Sequence, residues 1–546
     1  MTGGNRSRKR LPSVVIVGAG MSGMCMAIKL CQAGITDVTL YERAPEVGGT
    51  WRDNTYPGLS CDVASRFYQY TFAPNPTWSH FFSPGGEIQA YFARVADDFG
   101  LRDRIQFNTE VVDAVFADGK WRIRTAAGEE TVVDFLILAT GVLRDPQYPN
   151  IKGLGDFGGA VMHSARWDHT VQTTGRQVAV VGTGSTGVQI VCGLAREVER
   201  LTLFQRSAQW VVPFPNRPYS RTADPLRERL PILGHLAYHT YRRLYELLLQ
   251  AMVRPGWQRT LLSKICRASL RTVRDPELRR RLTPDYQPMC RRLILSAGFY
   301  RVMQRDNVDL MTDAIDHIEA RGIVTADGVL HEVDVIALAT GFDAHAYMRP
   351  MRITGRDGLT IDEAWTDGPK AHLTVAMPGF PNLFMLMGPH SPLGNYSLIA
   401  VAETQADHIR SWIDRWCAGQ FDSVEPRQTA TDQFYAEMRE AMPGTVWTTG
   451  CSSWYLGADG LPELWPWTPA RYRARLGQPP AMDDYDLRHG AGTTARTHWW
   501  PSVSRRLFCE PSHVRSAASF SCRGTHGRCN DVRWTWPLPG PVRRVS

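Results

Sequence analysis

The chain has 546 residues, 43% of them hydrophobic, which is enough for two or three domains with substantial cores. Its formal net charge is +8, but residues 489–546 contain nine arginines against Glu510 and Asp531, so the rest of the chain is nearly neutral. This distribution argues against a nucleic-acid partner. It does not support peripheral contact with a membrane, and it does not exclude such contact.

The N-terminus and the cysteines indicate the compartment. The apolar run at residues 14–17 is too short for a signal-peptide core, and no stretch of about 18 apolar residues predicts a membrane span. The eleven cysteines are scattered without a CxxC pair, so we expect no metal site and no disulfide framework. A reducing cytoplasm fits this pattern best.

The first predicted elements are a strand at residues 14–17, a glycine turn, a helix at residues 24–32 and a strand that ends at Glu42. The turn is a GxGxxG motif that begins at Gly18 and ends at Gly23. Such a turn lets backbone amides approach a pyrophosphate, and an acidic residue at the end of the next strand accepts hydrogen bonds from a ribose. The motif therefore predicts a dinucleotide site.

The same plan returns at residues 178–206 as a strand, a GxGxxG turn from Gly182 to Gly187, a helix and a second strand. From the first glycine to the polar residue that ends the second strand there are 24 positions in both units. Arg206 takes the place of Glu42, and a guanidinium there would pair with a 2′-phosphate. The second unit is therefore predicted to bind NADP, and the first to bind FAD.

Each unit is closed by an apolar strand that ends in Ala-Thr-Gly, at Gly141 and at Gly341, as expected for a buried strand of a doubly wound sheet. We therefore predict an α/β fold with two Rossmann-like dinucleotide-binding domains and a helical insertion. We interpret the insertion as a solvated amphipathic cover, in preference to an element that binds a membrane or admits the substrate. The predicted boundaries are residues 1–144 and 346–488 for the FAD-binding domain, 145–345 for the NADP-binding domain, about 214–285 for the insertion, and 489–546 for an atypical Arg- and Trp-rich tail that is disordered or out of frame.

Two dinucleotide sites in one chain indicate electron transfer between a nicotinamide and a flavin. Disulfide reductases carry out this transfer with a redox dithiol beside the flavin. Here Trp51 follows the Gly-Gly-Thr segment, and Cys61 is the one cysteine between Trp51 and Cys192. The missing dithiol leaves O2 as the favoured electron acceptor.

Residues 157–168 match the pattern FxGxxxHxxxW(P/D) in full. This pattern is the fingerprint of Baeyer-Villiger monooxygenases, and the chain resembles that family over about residues 12–486. The resemblance implies an NADPH- and O2-dependent flavoenzyme that oxidises a small apolar ketone to an ester or lactone through a C4a-peroxyflavin. The fingerprint residues are Phe157, Gly159, His163, Trp167 and Asp168.

The segment that begins at Gly48 and ends in Cys61-Asp62 resembles the GGTW, YPG and CD motifs that lie along the flavin in this family. Together with the first glycine turn, it implies FAD contacts at Gly18, Gly20, Ser22, Gly23, Glu42, Gly49, Thr50, Trp51, Asp62, Tyr68 and Val111. The NADP contacts implied in the same way are Gly182, Thr183, Gly184, Ser185, Thr186, Gly187, Arg206, Ser207 and Arg291.

Residues 288–308 resemble the segment of this family in which a lysine precedes the catalytic arginine, upstream of an RxNV strand. The resemblance places the catalytic role on Arg292, and Arg291 replaces the lysine expected at the 2′-phosphate. A permanent cation would stabilise the peroxide anion and the oxyanion of its adduct, and Asp62 would orient that cation if it lies adjacent. His163 is expected to couple the domains and contact the nicotinamide rather than to transfer protons.

Two other functions stay open. A flavin monooxygenase that oxidises nitrogen or sulfur would share the nucleotide sites, but it would need a protonated, electrophilic peroxide. A non-catalytic or inactive dinucleotide-binding protein would share them as well, with the atypical tail as a source of damage. The tryptophan-rich residues 461–467 either line an apolar substrate pocket or pack against the core.

Overall fold

The structure, a computed structural model, describes residues 11–489 with the exception of Pro392, Trp454, Tyr455, Ala458 and Asp459. The Arg- and Trp-rich tail, apart from His489, lies outside the described residues, so its predicted disorder or frame change stays a prediction. Within the described part of the chain, no helix has the length and apolarity that crossing a membrane requires.

The described strands, in chain order, are β1 (Val14–Val17), β2 (Val38–Tyr41), β3 (Ile105–Gln106), β4 (Val111–Ala117), β5 (Lys120–Thr125), β6 (Glu130–Val133), β7 (Phe135–Leu138), β8 (Ala160–His163), β9 (Gln177–Val181), β10 (Arg200–Phe204), β11 (Val211–Val212), β12 (Ile294–Leu295), β13 (Val308–Met311), β14 (Ile315–Glu319), β15 (Gly322–Thr325), β16 (Leu330–Glu332), β17 (Val335–Leu338), β18 (Arg352–Thr354), β19 (Leu383–Met385), β20 (Ser423–Pro426) and β21 (Tyr485–Arg488). The described α-helices are α1 (Met21–Gln32), α2 (Thr50–Asp53), α3 (Gly85–Asp98), α4 (Ser185–Leu194), α5 (Asp224–Arg229), α6 (Pro231–Val253), α7 (Trp257–Leu270), α8 (Pro276–Arg281), α9 (Phe299–Val302), α10 (Ile361–Ala364), α11 (Leu398–Cys417), α12 (Gln428–Ala441) and α13 (Pro469–Gly477).

The first glycine turn follows the central strand of a parallel sheet with the order β3-β2-β1-β7-β19. Val14 of β1 lies opposite Val38 of β2 on one side and Phe135 of β7 on the other. Every residue of β7 is buried, as expected when helices cover both faces of a parallel sheet. The turn therefore lies at the carboxyl edge of the sheet, where doubly wound folds bind their ligands.

The second glycine turn occupies the equivalent position in a second parallel sheet, with the order β13-β10-β9-β17-β8. In this sheet β9, β10 and β17 take the places of β1, β2 and β7. An antiparallel excursion precedes the closing strand in both units, as β4 to β6 in the first and β14 to β16 in the second. The predicted α/β fold with two Rossmann-like units is confirmed.

The predicted helical insertion is confirmed as α5 to α8, which leaves the second unit after β11 and returns to it at β12. Helix α6 has 23 residues and begins with Pro231. Proline is tolerated in the first turn of a helix because the backbone N–H that it lacks would have no acceptor within the helix there. The buried side chains of α6 include Tyr238, whose ring packs edge-to-face on Phe67 with 5.3 Å between the centroids. This packing attaches the insertion to the first unit.

The tryptophan-rich segment contributes to the core of the protein. Leu464 and Trp465 are fully buried, and the Trp465 ring contacts the rings of Phe434 and Tyr472. Of the two interpretations of residues 461–467, packing against the core therefore holds for these two side chains.

Cys290 and Cys451 form a disulfide, with their Cα atoms 6.1 Å apart although 161 positions separate them in the chain. The expectation that the scattered cysteines form no disulfide is therefore wrong for this pair. Spacing along the sequence cannot reveal such a bond, because two cysteines pair only when tertiary packing brings their Cα atoms within about 7 Å. The bond ties the residue just before Arg291 and Arg292 to a distant part of the chain.

We expect Cys290 and Cys451 to resist alkylation in the denatured protein until a reductant is added, because a disulfide presents no thiol. Cys25 and Cys61, which are buried thiols in the native protein, should react on denaturation alone and serve as internal controls. Peptide mapping by mass spectrometry after N-ethylmaleimide labelling checks this. Alkylation of Cys290 and Cys451 without reductant would contradict it.

Candidate functional site

In each turn, the first and last glycines are required by the packing of the chain itself. A Cβ on Gly18 would lie 2.5 Å from the carbonyl oxygen of Ala139, and one on Gly23 would lie 1.9 Å from the carbonyl oxygen of Gly18. Gly182 and Gly187 are constrained in the same way, with closest distances of 2.5 and 2.1 Å to backbone oxygens. These glycines allow the helix and the closing strand to approach the turn closely.

The middle glycine of each turn is under no such constraint. Among the described atoms, a Cβ on Gly20 would meet Gly49 at an ordinary 3.7 Å, and one on Gly184 would meet nothing within 4 Å. Gly20 and Gly184 are the N-cap residues of α1 and α4, and no described side chain caps either helix. Bare backbone at an uncapped helix N-terminus fits the pyrophosphate of a dinucleotide. The expected contacts in the first turns of these helices are Ser22, Ser185 and Thr186.

Glu42 follows β2, where a ribose is expected. It is buried, and its carboxylate accepts hydrogen bonds from the amides of Ala19 at 2.9 Å and Ala44 at 3.0 Å. Arg52 donates to the same carboxylate at 3.2 Å. Ala44 and Arg52 also line a cleft of about 600 Å³ that extends to Glu110, just before β4. This volume lies within the range of small-molecule and cofactor sites, so the cleft could hold the adenosine end of a dinucleotide.

The second unit places cationic side chains at the corresponding position. Arg206 is exposed beyond the end of β10. Ser207 follows it, and the carbonyl oxygen of Ser207 accepts a hydrogen bond from the hydroxyl of Thr183 at 2.7 Å. Arg291 donates to the hydroxyl of Ser207 at 2.9 Å, with its guanidinium 4.6 Å from the ring centroid of Tyr286. The structure thus brings Arg291 next to the segment that carries Arg206, as a shared 2′-phosphate site requires.

Arg292 and Asp62 form a bidentate ion pair across 230 positions of sequence. Nε of Arg292 donates to Oδ2 of Asp62 at 2.7 Å, and Nη2 donates to Oδ1 at 2.6 Å. Nη1 of the same guanidinium donates to the carbonyl oxygen of Gly394 at 3.0 Å. The two side chains are 28% and 18% exposed, so the pair is largely buried and keeps some contact with solvent. The adjacency that the sequence left conditional is present.

Other residues expected along the flavin lie on the first unit. Nε1 of Trp51 donates to the phenol oxygen of Tyr68 at 2.9 Å, and the two rings meet edge-to-face at 5.6 Å. Burial raises the pKa of Tyr68 far above its usual range, so the phenol keeps its proton. The hydroxyl of Thr50 donates to the carbonyl oxygen of Leu143 at 3.2 Å, and Val111 is buried at the start of β4.

The fingerprint fixes the edge strand of the second unit. A Cβ on Gly159 would lie 2.3 Å from the carbonyl oxygen of Asp334 and 2.6 Å from the Phe157 ring, so glycine is required where β8 begins to pair with β17. Trp167 is partly buried against the main core, and Asp168 accepts hydrogen bonds from the amide and hydroxyl two positions further on. These residues therefore have packing roles that are independent of any ligand.

His163 ends β8 and is buried. Its Nδ1 accepts a hydrogen bond from the amide of Ala165 at 3.1 Å, so the proton of the neutral ring lies on Nε2. Burial lowers the pKa of His163, which favours this neutral form. The ring contacts the rings of Tyr148 and Phe342, an environment that suits a positioning side chain better than a proton carrier.

Several partners in the site were not found from the sequence. The phenol of Tyr56 donates to Oε1 of Gln189 at 2.8 Å, and Nε2 of Gln189 donates to the carbonyl oxygen of Ser60 at 2.9 Å, which joins the first unit to α4. Tyr56 lies in the YPG motif, and Gly394 lies just before α11. The contacts they make have no sequence signature, because each partner is more than a hundred positions away.

Residues 11–219 match the flavin-binding monooxygenase-like family. The chain is 60% identical over 486 residues to an uncharacterised monooxygenase of Mycobacterium tuberculosis, covering 89% of this chain and 98% of that protein. It is 38% identical over 466 residues to a Baeyer-Villiger monooxygenase of Streptomyces coelicolor, covering 84% of this chain and 90% of that protein. The chain belongs to the Baeyer-Villiger monooxygenase family.

A solved structure supports the same assignment to the Baeyer-Villiger monooxygenases. The structure of OTEMO in complex with FAD and NADP has a TM-score of 0.78 and 28% identity, and it covers 88% of this chain and 100% of that chain. The predicted family and the predicted enzyme class, an FAD- and NADPH-dependent flavoprotein monooxygenase, are confirmed at the level of the family.

Substitution of the middle and last glycines of the second turn should have different effects, one on NADP⁺ binding and the other on stability. Gly184→Ala should leave the fold intact and weaken NADP⁺ binding about tenfold or more, because the added methyl occupies the space beside the start of α4. Gly187→Ala should destabilise the protein by about 1–3 kcal/mol, because its Cβ has no room beside Gly182. Calorimetric titration with NADP⁺ and thermal unfolding measure the two effects.

Gly86→Ala is the matched control, since a Cβ there also meets no described atom within 4 Å and Gly86 lies in α3, outside the glycine turn. It should leave the NADP⁺ affinity unchanged, and it should not lower the unfolding temperature. An unchanged NADP⁺ affinity in Gly184→Ala would remove the ligand explanation for the bare backbone at this position.

Proposed function

We propose that the protein catalyses a Baeyer-Villiger oxidation in which a small apolar ketone, O2, NADPH and a proton give an ester or lactone, NADP⁺ and water. The observation that carries this proposal is the bidentate pair between Arg292 and Asp62, which holds a permanent cation at the junction of the two units. Family membership supports the reaction class, and the substrate class comes from the resemblance.

We assign the cofactors to the two glycine-turn units. The first unit would hold FAD at its glycine turn, at Glu42, and at the Gly49 to Asp62 segment with Tyr68 and Val111. The second would hold NADPH at its glycine turn, with Arg206, Ser207 and Arg291 at the 2′-phosphate. Three observations support this assignment: the unconstrained middle glycines, the polar cleft beside Glu42, and the convergence of cations at Ser207.

We also propose the domain boundaries that the sequence suggested. Residues 1–144 and 346–488 would form the FAD-binding domain, because β19 returns to the first sheet beside β7. Residues 145–345 would form the NADP-binding domain, because β8 and β17 pair in the second sheet. The cytoplasmic location stays a prediction, and the oxidation state of Cys290 and Cys451 in the native protein bears on it.

The chemistry that FAD supplies when bound is acceptance of a hydride from NADPH and activation of O2. Arg292 would place a permanent positive charge beside the oxygen atoms on which negative charge develops. Asp62 orients the guanidinium through two parallel hydrogen bonds, and the carbonyl of Gly394 fixes its third side. Because Arg292 belongs to the second unit, movement of that unit would reposition the cation between hydride transfer and oxygen transfer.

The alternatives require a different arrangement of charge. Oxidation of nitrogen or sulfur needs a protonated, electrophilic oxygen, whereas the cation of Arg292 favours an anionic, nucleophilic one. A non-catalytic dinucleotide-binding protein has no need of a bidentate pair at the junction of the two units.

Arg292→Ala should lower ketone-dependent ester or lactone formation by about 10²–10³-fold, because the charge that stabilises the reacting oxygen is removed. Chromatographic analysis of products from cyclic, aryl and long-chain ketones, with NADPH oxidation followed in air, measures this. Arg356→Ala is a matched control, since Arg356 is 26% exposed and pairs with buried Glu425 at 2.6 Å away from the site. It should retain product formation per bound flavin.

Sulfoxide or N-oxide formation without any ester or lactone would favour the heteroatom-oxidising function. A purified protein without flavin absorbance would favour the non-catalytic one.

Arg206→Gln should raise the KM for NADPH about 10- to 100-fold and leave the KM for NADH nearly unchanged, because hydrogen bonds to a charged group contribute about 1.5–3 kcal/mol. Steady-state kinetics with both coenzymes measure the ratio. Arg200→Ala at the start of β10, where Arg200 pairs with Asp309, should leave the preference intact. An equal loss with both coenzymes in Arg206→Gln would contradict a 2′-phosphate contact.

A further inference from the structure

The outward sides of α6 and α7 expose large apolar side chains. Ile232 is 72% exposed, Leu236 and Trp257 are each 64% exposed, and Leu247, Leu261 and Ile265 are between 37% and 46% exposed. We call these six residues the apolar face. Elsewhere in the described chain, exposed side chains of this size, such as Val132 and Val329, are scattered. Exposure at this density marks an interaction surface.

The pattern of burial shows that each of the two helices presents these residues to the side away from the core. On α6 the spacings of four and eleven residues place three of these side chains on one side of the helix: Ile232, Leu236 and Leu247. On α7 the intervals of four do the same for Trp257, Leu261 and Ile265. The opposite sides of both helices, which include Leu249 and Leu270, are buried in the same core. The apolar face therefore points away from the body of the protein.

The same helices carry a concentrated positive charge. Residues 230–271 contain six arginines and one lysine against a single acidic residue, Glu246, so their net charge is +6 while the remainder of residues 1–488 carries −5. Glu246 is held by Arg473 at 2.5 Å, which directs its charge toward the protein. Arg243, Lys264 and Arg271 are exposed. Cations interspersed with exposed Leu, Ile and Trp are the composition of helices that lie in a lipid interface.

We propose that α6 and α7 dock the protein on a lipid surface with anionic headgroups. The apolar face would enter the boundary between headgroups and acyl chains, while the arginines and Lys264 meet the phosphates. A second copy of the chain is disfavoured, because a symmetric contact would place +6 against +6. This docking needs no membrane-spanning helix, because α6 and α7 would lie in the plane of the lipid surface. No described helix is long and apolar enough to cross a membrane.

The inward side of α6 borders the candidate active site. The phenol oxygen of Tyr245 accepts a hydrogen bond from the amide of Ala64 at 2.9 Å, two residues from Asp62. A Cβ on Gly394 would lie 2.8 Å from the sulfur of Met252, and Gly394 accepts the hydrogen bond from Arg292. Docking would therefore bring the region of Arg292 near a lipid phase in which an apolar substrate is concentrated. This consequence rests on the proposed function, whereas the docking does not.

The test is flotation of the full-length protein with vesicles of phosphatidylcholine alone and of phosphatidylcholine mixed with phosphatidylglycerol. The unmodified protein should float with the anionic vesicles and not with the neutral ones. The variant Ile232→Ser, Leu236→Ser and Leu247→Ser keeps every charge, and its vesicle-bound fraction should fall at least about tenfold. The control variant Val132→Ser and Val329→Ser, whose residues are 52% and 47% exposed elsewhere, should bind like the unmodified protein.

A second readout locates the contact on α7. Lipids brominated in the acyl chains should quench part of the protein fluorescence, and this part should be missing in Trp257→Phe. Circular dichroism of each variant establishes that the fold is retained, as expected for exposed positions.

Two results would overturn the proposal. If the triple serine variant binds anionic vesicles as well as the unmodified protein does, charge elsewhere, such as the arginines of residues 489–546, accounts for binding. If sedimentation without lipid shows a dimer that the same variant dissociates, the face is an interface between copies of the chain.

Discussion

One guanidinium connects the main parts of this protein. Arg292 comes from the second unit, Asp62 from the first, and Gly394 from the chain that leads into α11, and three donors of Arg292 reach acceptors on the other two segments. A cation that is largely removed from water needs such acceptors, because leaving one charge of a buried pair unpaired costs about 3–5 kcal/mol. The pair therefore limits how the two sheets can be arranged, and it also sets where a positive charge lies relative to the nucleotide sites.

The two glycine-turn units show how one backbone solution can serve two ligands. The turns have the same clashes at their first and last glycines, the same open space at the middle glycine, and the same Ala-Thr-Gly strand beside them. They differ just beyond the second strand, where one unit has a buried carboxylate and the other an exposed guanidinium, and the proposed difference in ligand rests on these two side chains. Packing determines the shared features, and charge determines the difference.

The helical insertion is constrained on one side and unpartnered on the other. On its inner side α6 meets Phe67 and Ala64, close to Asp62, so changes in the insertion can reach the site through a few contacts. Cys290 lies where the chain returns from the insertion, and its disulfide with Cys451 restrains the segment that carries Arg292. The insertion therefore contacts the segment that carries Asp62, and the disulfide restrains the segment that carries Arg292, so each acts on one partner of the ion pair.

The features of this protein that could be predicted from the amino-acid sequence are those whose signals are local. The apolar strand runs, the glycine turns, the exchange of Glu42 for Arg206, and the fingerprint ending at Asp168 depend on residue type at short spacing, and periodicity likewise predicted α6. Which distant residues meet depends on the folding of the whole chain and could not be predicted in this way. The bond between Cys290 and Cys451, the contact of Gly394 with Arg292, and the exposure of Ile232 and Leu236 depend on distances across the fold. An amphipathic pattern predicts that a helix has an apolar side, but whether that side is buried depends on how the helix packs on the rest of the protein.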